Sequence, residues 1–129
     1  MSTVLVVDDQ AEIRRLVRIC LTVDGHQVLE AANGREAIEL LAGRRPDLVL
    51  LDLMMPEVDG WQVLASVRQL PPPRRPKVVI LSALSEDSAT SRALAQGADA
   101  YLQKPFDPFV MEELINRLLS PDELSGAVP

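Results

Sequence analysis

The sequence predicts an α/β fold in which a parallel β-sheet lies between two layers of helices, a three-layer sandwich. Five short apolar segments alternate with five stretches whose apolar residues recur at helical spacing, a pattern typical of βα units. Two of these segments, residues 4–7 and 48–51, contain no polar residue, which indicates strands that are covered on both faces. Right-handed crossovers between such strands place helices on both faces, so the predicted sheet is doubly wound.

The composition limits the class of protein. With 129 residues, of which 47% are hydrophobic, the chain can bury one core and has room for one domain. The formal net charge of -6 argues against direct nucleic-acid binding, because phosphate contacts need clustered Lys and Arg. The single cysteine excludes an internal disulfide, and no apolar segment approaches membrane-spanning length. These features predict a cytoplasmic domain without a membrane partner.

The five apolar segments differ in polarity, and this difference predicts their places in the sheet. Residues 26–30 are more polar than the other segments, as expected of an edge strand. The fifth segment is short and runs into Gln103 and Lys104. The predicted strands are residues 4–7, 26–30, 48–51, 77–81 and 100–102.

Capping residues mark where the helices begin and end. Asn33, followed three residues later by Glu36, resembles a capping box, and Asp107 precedes a proline at the first position of the last helix. Asp59 can cap the third helix, and Gly25 follows the first. The predicted helices are residues 11–24, 33–43, 59–70, 85–97 and 107–118.

The helices differ in how much apolar surface they can bury. The fourth is mostly Ala, Ser and Thr, with Leu94 as its one large aliphatic residue, so we expect it to be the least firmly packed. The first places Arg14, Arg15 and Arg18 away from its apolar stripe, which predicts a solvated face or a docking surface for a partner kinase. The inward stripe predicted for the last helix is Val110, Leu114, Ile115 and Leu118.

The segment 71–76 has the sequence Pro-Pro-Pro-Arg-Arg-Pro. Successive prolines block both helix continuation and sheet pairing, so this segment predicts a stiff, extended connection. It is not a domain boundary, because two more strand–helix units follow it.

Three carboxylates and one lysine follow predicted strands. Asp8 and Asp9 follow the first strand, Asp52 the third and Lys104 the fifth. If the strand order is 2-1-3-4-5, the first and third strands are neighbours and the three carboxylates meet at the edge of the sheet where ligands bind. They would repel one another unless a cation joined them. Mg²⁺, which prefers oxygen ligands, would together with Lys104 bring the formal charge of the cluster to zero, so the pattern predicts a site for a metal and an anion.

These residues resemble the receiver domain of two-component response regulators. The resemblance covers residues 3 to about 119. It implies the flavodoxin-like form of the predicted fold, a five-stranded parallel sheet of order 2-1-3-4-5 with five helices. It also implies a receiver domain at 1–119 and a C-terminal tail or truncated linker at 120–129. The matching positions are Asp8-Asp9, Asp52, Met55-Pro56, Asp59-Gly60, Ser82-Ala83 and Lys104-Pro105.

The resemblance implies a role for each residue of the site. Asp52 would be the phosphoacceptor, a carboxylate nucleophile that forms an aspartyl phosphate. Asp9, Asp52 and the backbone carbonyl of Met54 would bind Mg²⁺, and Asp8 would hold the ion through water. Lys104 would pair with a phosphoryl oxygen. The chain would thus be a signalling switch that catalyses only its own phosphoryl transfer and dephosphorylation.

The resemblance also implies a switch and its partners. Ser82 would turn its hydroxyl toward the phosphoryl group and draw its loop inward, and Tyr101 would change rotamer as that loop moves. Packing on an edge strand is the alternative role for Tyr101. The donor would be a histidine kinase or a histidine phosphotransfer domain. The face formed by the fourth helix, fifth strand and last helix would bind a downstream protein, a missing output domain or, on phosphorylation, a second copy of the chain.

Other classes of protein match the sequence less well. A haloacid-dehalogenase-type phosphohydrolase needs a second aspartate two residues after the nucleophile, where this chain has Met54. A dinucleotide-binding domain needs a glycine-rich turn after the first strand, where this chain has Asp8-Asp9-Gln10. An interaction module that works without phosphorylation and an N-terminal receiver fragment of a larger regulator are the alternatives that stay open.

Overall fold

A five-stranded parallel sheet of order 2-1-3-4-5 forms the middle layer of the protein, which confirms the predicted fold and strand order. The structure is a computed structural model that describes residues 2–53, 55, 60–82 and 86–120, with residues 82 and 86–90 described by their backbone. The strands are β1 Thr3–Val7, β2 Gln27–Ala31, β3 Leu48–Asp52, β4 Lys77–Ser82 and β5 Ala100–Gln103. The helices are α1 Ala11–Val23, α2 Gly34–Arg44, α3 Gly60–Arg68, α4 Glu86–Ala95 and α5 Pro108–Leu118. None of the described helices is long and apolar enough to cross a membrane.

Two apolar clusters cover the two faces of the sheet. Successive strand residues point to opposite faces, so β1 supplies Leu5 and Val7 to one cluster and Val4 and Val6 to the other. The first cluster is completed by residues of α2, α3 and α4, and the second by residues of α1 and α5. All five residues of β3 are buried, as its unbroken apolar sequence predicts.

The register of the central strands sets the position of the residues that follow them. Val7 of β1 pairs with Leu51 of β3, so the next residues, Asp8 and Asp52, lie side by side. Asp52 pairs on its other side with Leu81 of β4. The carboxyl ends of β1, β3 and β4 therefore form one continuous edge.

The capping predictions for two helices agree with the structure. Asn33 Oδ1 accepts a hydrogen bond of 2.9 Å from the Glu36 N–H, and Asp107 Oδ1 accepts one of 2.8 Å from the Phe109 N–H. The Glu36 carboxylate reaches back to the Ala32 N–H at 2.8 Å, one residue earlier than a capping box requires. Asp59, predicted to cap α3, lies outside the described residues.

The predicted extended connection at residues 71–76 is wrong for its middle, whereas the flanking Pro71 and Arg75 have extended backbone. Pro72–Arg74 forms one turn of 3-10 helix, closed by a hydrogen bond of 2.8 Å from the Arg74 N–H to the Pro71 carbonyl. Proline fixes φ near about -65°, which suits a helical turn. The first residues of a helix have no intrahelical partner for their N–H groups, so the missing proline N–H groups cost nothing there.

The inward stripe of α5 also differs from the prediction. Met111 and Ile115 are fully buried, whereas Val110 is 49% exposed. Leu114 and Leu118 pack against the same cluster as predicted. The helical spacing i, i+3, i+4, i+7 puts Met111 on one face with Leu114, Ile115 and Leu118. Val110 lies one residue off that face.

The two large side chains in the described part of α4, Arg92 and Leu94, are exposed. Leu94 is 47% exposed, and Ala93 beside it is fully buried, so residues 91–95, the part of the helix whose side chains the structure describes, add little apolar area to the core. The Arg92 guanidinium lies 4.2 Å from the ring centroid of Trp61 on α3. This cation–π contact joins α4 to its neighbour.

Two arginines of α1 are more than a solvated face, because they pair with Glu30 of β2. Arg14 Nε lies 3.1 Å from Glu30 Oε1, and Arg18 Nε lies 2.5 Å from Glu30 Oε2. Hydrogen bonding from Arg18, and then from Arg14, lowers the pKa of Glu30 below its ordinary value, although burial acts to raise it. The two ion pairs fasten α1 to the edge strand.

The close approach of α3 to the end of β3 predicts that Gly60→Ala destabilises the fold. A Cβ atom on Gly60 would collide with the Asp52 carbonyl oxygen and lie 2.5 Å from Leu53 Cα. Overpacking of this kind costs about 1–3 kcal/mol, which urea unfolding measures. Gly43→Ala is the matched control, because a Cβ on Gly43 meets nothing within 4 Å in its helix, and it should leave the protein as stable or slightly more stable. Equal stability of Gly60→Ala and the wild type would contradict the packing described here.

The lowered pKa of Glu30 predicts a pH-dependent difference between the wild type and Glu30→Gln. A carboxyl whose pKa is lower in the folded state stabilises that state above its unfolded pKa, and this contribution is lost as pH falls through its folded pKa. The wild type should therefore be more stable by about 0.5–1 kcal/mol at pH 7, a range suited to partly exposed pairs. Urea unfolding at pH 7 and at about pH 3 should show a smaller difference at the lower pH. A difference that grows on acidification would have the wrong sign.

Candidate functional site

The carboxyl edge of the sheet brings the three predicted carboxylates together. Asp8 follows β1, Asp52 ends β3, and Asp9 begins the turn into α1. One carboxylate oxygen from each residue can be chosen so that all three lie within 4.8 Å of one another. The pairing of β1 with β3 causes this closeness, since it aligns the ends of the two strands.

Two of these carboxylates are almost completely shielded from solvent. Asp8 is 0% exposed and Asp52 is 5% exposed, whereas Asp9 is exposed. A buried carboxylate is stable only when its oxygens are paired. Asp8 meets this condition, because its Oδ1 accepts a 2.9 Å hydrogen bond from the Gln10 N–H and its Oδ2 pairs with Lys104.

Lys104, which follows β5, lies inside the acidic cluster. Its Nζ is 2.6 Å from Asp8 Oδ2 and 3.5 Å from Asp52 Oδ2, and its side chain is 13% exposed. Nζ also donates to Gln10 Oε1 at 3.2 Å. The Lys104–Pro105 peptide bond is cis. One ammonium group therefore contacts carboxylates from the first and third strands at once.

Gln10 and Arg14 are site residues that the sequence reasoning missed. Gln10 binds Asp8 through its N–H and Lys104 through its side chain. Arg14 Nη1 donates to the Asp8 carbonyl oxygen at 2.7 Å. Only their positions in the sequence could have indicated a place in the site. Gln10 directly follows the two aspartates, and Arg14 lies one helical turn later.

The charges at this edge suit a cation. Three carboxylates and one ammonium leave a formal surplus of negative charge in a largely buried place. Carboxylate oxygens are the ligands that hard divalent cations prefer. The cluster of Asp8, Asp9 and Asp52 could therefore bind a metal ion.

Part of the predicted site lies outside the described residues. This holds for Met54, for Pro56 and Asp59 behind it, for Ala83 and for the side chain of Ser82. The backbone of Ser82 ends β4 and pairs with Gln103, which puts it at the same edge of the sheet as Asp52.

Tyr101 and Met55 contribute to packing near the site. Tyr101 pairs with Ile80 of β4, is half-buried and packs against the first apolar cluster. Met55 is 6% exposed and belongs to the same cluster. The packing role considered for Tyr101 thus holds, and a change of its rotamer stays a prediction.

Comparison with solved structures shows the same fold elsewhere. The structure of the Vibrio cholerae chemotaxis protein CheY4 matches this one with a TM-score of 0.84 at 30% sequence identity. The match covers 92% of this chain and 98% of that chain.

Sequence comparison finds transcriptional regulators among the relatives. The chain is 43% identical over 119 residues to the transcriptional regulatory protein KdpE of Mycobacterium tuberculosis, covering 92% of this chain and 50% of KdpE. It is 40% identical over 116 residues to the probable transcriptional regulator ycf27 of Porphyridium aerugineum, covering 90% of this chain and 47% of that protein. The chain spans about half the length of these curated relatives.

A family model described as the response regulator receiver domain matches residues 4–117, which is most of the chain. The fold, the strand order and the relatives agree with that match. The chain therefore belongs to the receiver domain family of two-component response regulators.

Proposed function

We propose that this chain accepts a phosphoryl group on Asp52 from a histidine kinase or a histidine phosphotransfer domain and then switches partner binding. The observation that carries the proposal is the surroundings of Asp52. Its carboxylate ends the fully buried β3, clusters with Asp8 and Asp9, and lies 3.5 Å from Lys104 Nζ. Membership of the receiver family supports the same assignment.

Mg²⁺ is the proposed cofactor. Asp9 and Asp52 would bind it directly, and Asp8 would hold it through water, which suits an ion that keeps part of its hydration shell. The Met54 carbonyl is proposed as a further ligand and lies outside the described residues. When bound, the ion would offset the charge on the oxygens of the transferred phosphoryl group.

Asp52 is the proposed nucleophile. One of its carboxylate oxygens attacks the phosphorus atom, a P–O bond forms, and the P–N bond to the donor imidazole breaks. Rigid placement helps, because phosphoryl transfer depends mainly on positioning and on neutralising oxygen charge. Hydrolysis of the acyl phosphate by water restores the carboxylate and resets the switch.

Lys104 is proposed to stabilise the charge on the phosphoryl oxygens. It already bridges Asp8 and Asp52, so only a small movement of Nζ would bring it to a phosphoryl group on Asp52. Preorganised cations of this kind act most strongly where water is excluded, and the Lys104 side chain is 13% exposed.

The proposed switch runs from β4 to β5 and α4. Ser82 would bind the phosphoryl group through its hydroxyl, and its backbone pairs with β5, where Tyr101 packs on the first apolar cluster. α4 follows β4, and the part of it whose side chains the structure describes buries little apolar area, so we expect a small change in free energy to shift it.

The face formed by α4, β5 and α5 is the proposed output surface. Its partner would be a downstream protein, an output domain of the same protein or a second, phosphorylated copy. Relatives about twice as long as this chain are transcriptional regulators, which supports an output domain for a receiver of this kind. We propose a cytoplasmic location, which accords with the free thiol of Cys20.

Asp52→Asn should abolish phosphoryl uptake and leave the fold intact, because the amide is a poor nucleophile and the change relieves repulsion among carboxylates. Intact mass after incubation with Mg²⁺ and acetyl phosphate should show one added phosphoryl group on the wild type and none on the variant. An EDTA-treated wild type serves as the metal control, and circular dichroism checks folding. An adduct that persists on the variant would assign the phosphate to another residue.

Lys104→Ala should slow phosphoryl uptake by about 100-fold, the usual effect of removing one preorganised charge from a reacting centre. Its Mg²⁺ affinity should not fall, because the lysine repels the metal and contacts the anion. Mass spectrometry of samples quenched at successive times measures the rate of uptake, and calorimetric titration measures the Mg²⁺ affinity. Lys77→Ala, at the opposite end of the sheet, is the charge-matched control. Loss of Mg²⁺ affinity as large as the loss of rate would contradict the role given to Lys104.

A further inference from the structure

The turn between β1 and α1 carries two of the three clustered carboxylates and holds them unequally. The Gln10 N–H donates to Asp8 Oδ1 at 2.9 Å and so directs the Asp8 carboxylate. Gln10, the residue before α1, makes no side-chain capping hydrogen bond. Asp9 is exposed, and its carboxylate has no hydrogen-bond partner among the residues that the structure describes. The direction of Asp9 therefore depends on the peptide unit that precedes it.

Arg14 holds that peptide unit. Its Nη1 donates a hydrogen bond of 2.7 Å to the carbonyl oxygen of Asp8. This carbonyl belongs to the planar unit that joins Asp8 to Asp9, so fixing it fixes the direction in which the chain enters Asp9. On the other side, the Asp8 N–H donates to the Ala31 carbonyl of β2 at 3.1 Å. Both main-chain groups of Asp8 are thereby held by neighbouring elements.

Glu30 in turn holds the Arg14 guanidinium. Arg14 Nε donates to Glu30 Oε1 at 3.1 Å, while Glu30 Oε2 accepts from Arg18 Nε at 2.5 Å. The side chains of Arg14 and Glu30 are 18% and 29% exposed, whereas that of Arg18 is 50% exposed. Solvent and salt screen the inner pair less than the outer one. Arg14 is thus the member of this group that touches the site.

We propose that Arg14 is a positioning residue for the acidic site: by holding the Asp8 carbonyl, it fixes the peptide unit from which the Asp9 carboxylate reaches Asp8 and Asp52. The inference rests on the function proposed above for the same site. A guanidinium can bridge a carbonyl and a carboxylate at once, because its donors form a rigid planar fork. Partners that orient the ligands of a metal site from outside govern its affinity in this way.

Two arginines that share Glu30 allow a matched test. Arg14→Ala and Arg18→Ala each remove one positive charge and one ion pair to Glu30, but only Arg14→Ala removes the hydrogen bond to Asp8. Calorimetric titration of the unphosphorylated proteins with Mg²⁺ should show affinity about tenfold weaker for Arg14→Ala, within the range found for outer-shell partners. Arg18→Ala should stay within about twofold of the wild type, as expected of an exposed pair.

A conservative variant separates positioning from charge. Arg14→Lys keeps the positive charge but not the fork, so its Mg²⁺ affinity should lie between those of Arg14→Ala and the wild type. If circular dichroism shows that Arg14→Ala does not fold, the Mg²⁺ affinity of Arg14→Lys tests the role of Arg14 instead. The rate of phosphoryl uptake from acetyl phosphate, measured at saturating and at limiting Mg²⁺, should show the larger defect at limiting Mg²⁺.

The outcomes separate this inference from the proposed function. Wild-type Mg²⁺ affinity in the folded Arg14 variants overturns the inference, and so does an equal loss in Arg18→Ala, since that loss would come from the pairing with Glu30 alone. Wild-type protein that binds Mg²⁺ but takes up no phosphoryl group overturns the proposed function, and the Mg²⁺ affinities then still decide the role of Arg14.

Discussion

Repulsion among three carboxylates at one edge of the sheet is the constraint on which the rest of the site depends. Strand pairing brings Asp8 and Asp52 together, and burial removes the water that would screen them. Lys104 neutralises part of this negative charge by contacting both residues. The remaining negative charge is what makes the edge suited to a cation, so the same repulsion that opposes folding prepares the site for its ligand.

The two ends of the proposed signalling route differ in how firmly they are packed. Asp52 ends a strand whose every residue is buried, and Asp8 is held through its side chain and its main chain. α4, by contrast, buries Ala93 and leaves Leu94 half exposed, with the Arg92–Trp61 contact at its side. In the proposed switch, this contrast would let a change of charge at Asp52 act on the element that is easiest to shift.

Each error in the sequence reasoning has a physical cause. Residues 71–76 were expected to be extended because prolines block regular structure, yet a short 3-10 turn needs no proline N–H and suits its φ. Val110 was placed in the α5 stripe, but the start of the helix at Pro108 and the burial of Met111 turn that position outward. Backbone geometry, which composition does not specify, decided the first position. The second was placed one residue early, since Met111 rather than Val110 has the helical spacing to Leu114 and Ile115.

The sequence by itself determined the fold class, the identity of the strands and the presence of acidic residues at their ends. These features are local, since hydrophobic periodicity and capping residues act over a few positions along the chain. Only the tertiary structure decided that Lys104 contacts Asp8, 96 positions away, and that Arg14 reaches the Asp8 carbonyl rather than solvent. Such contacts depend on strand order, register and helix rotation together, and a single sequence does not state how these combine.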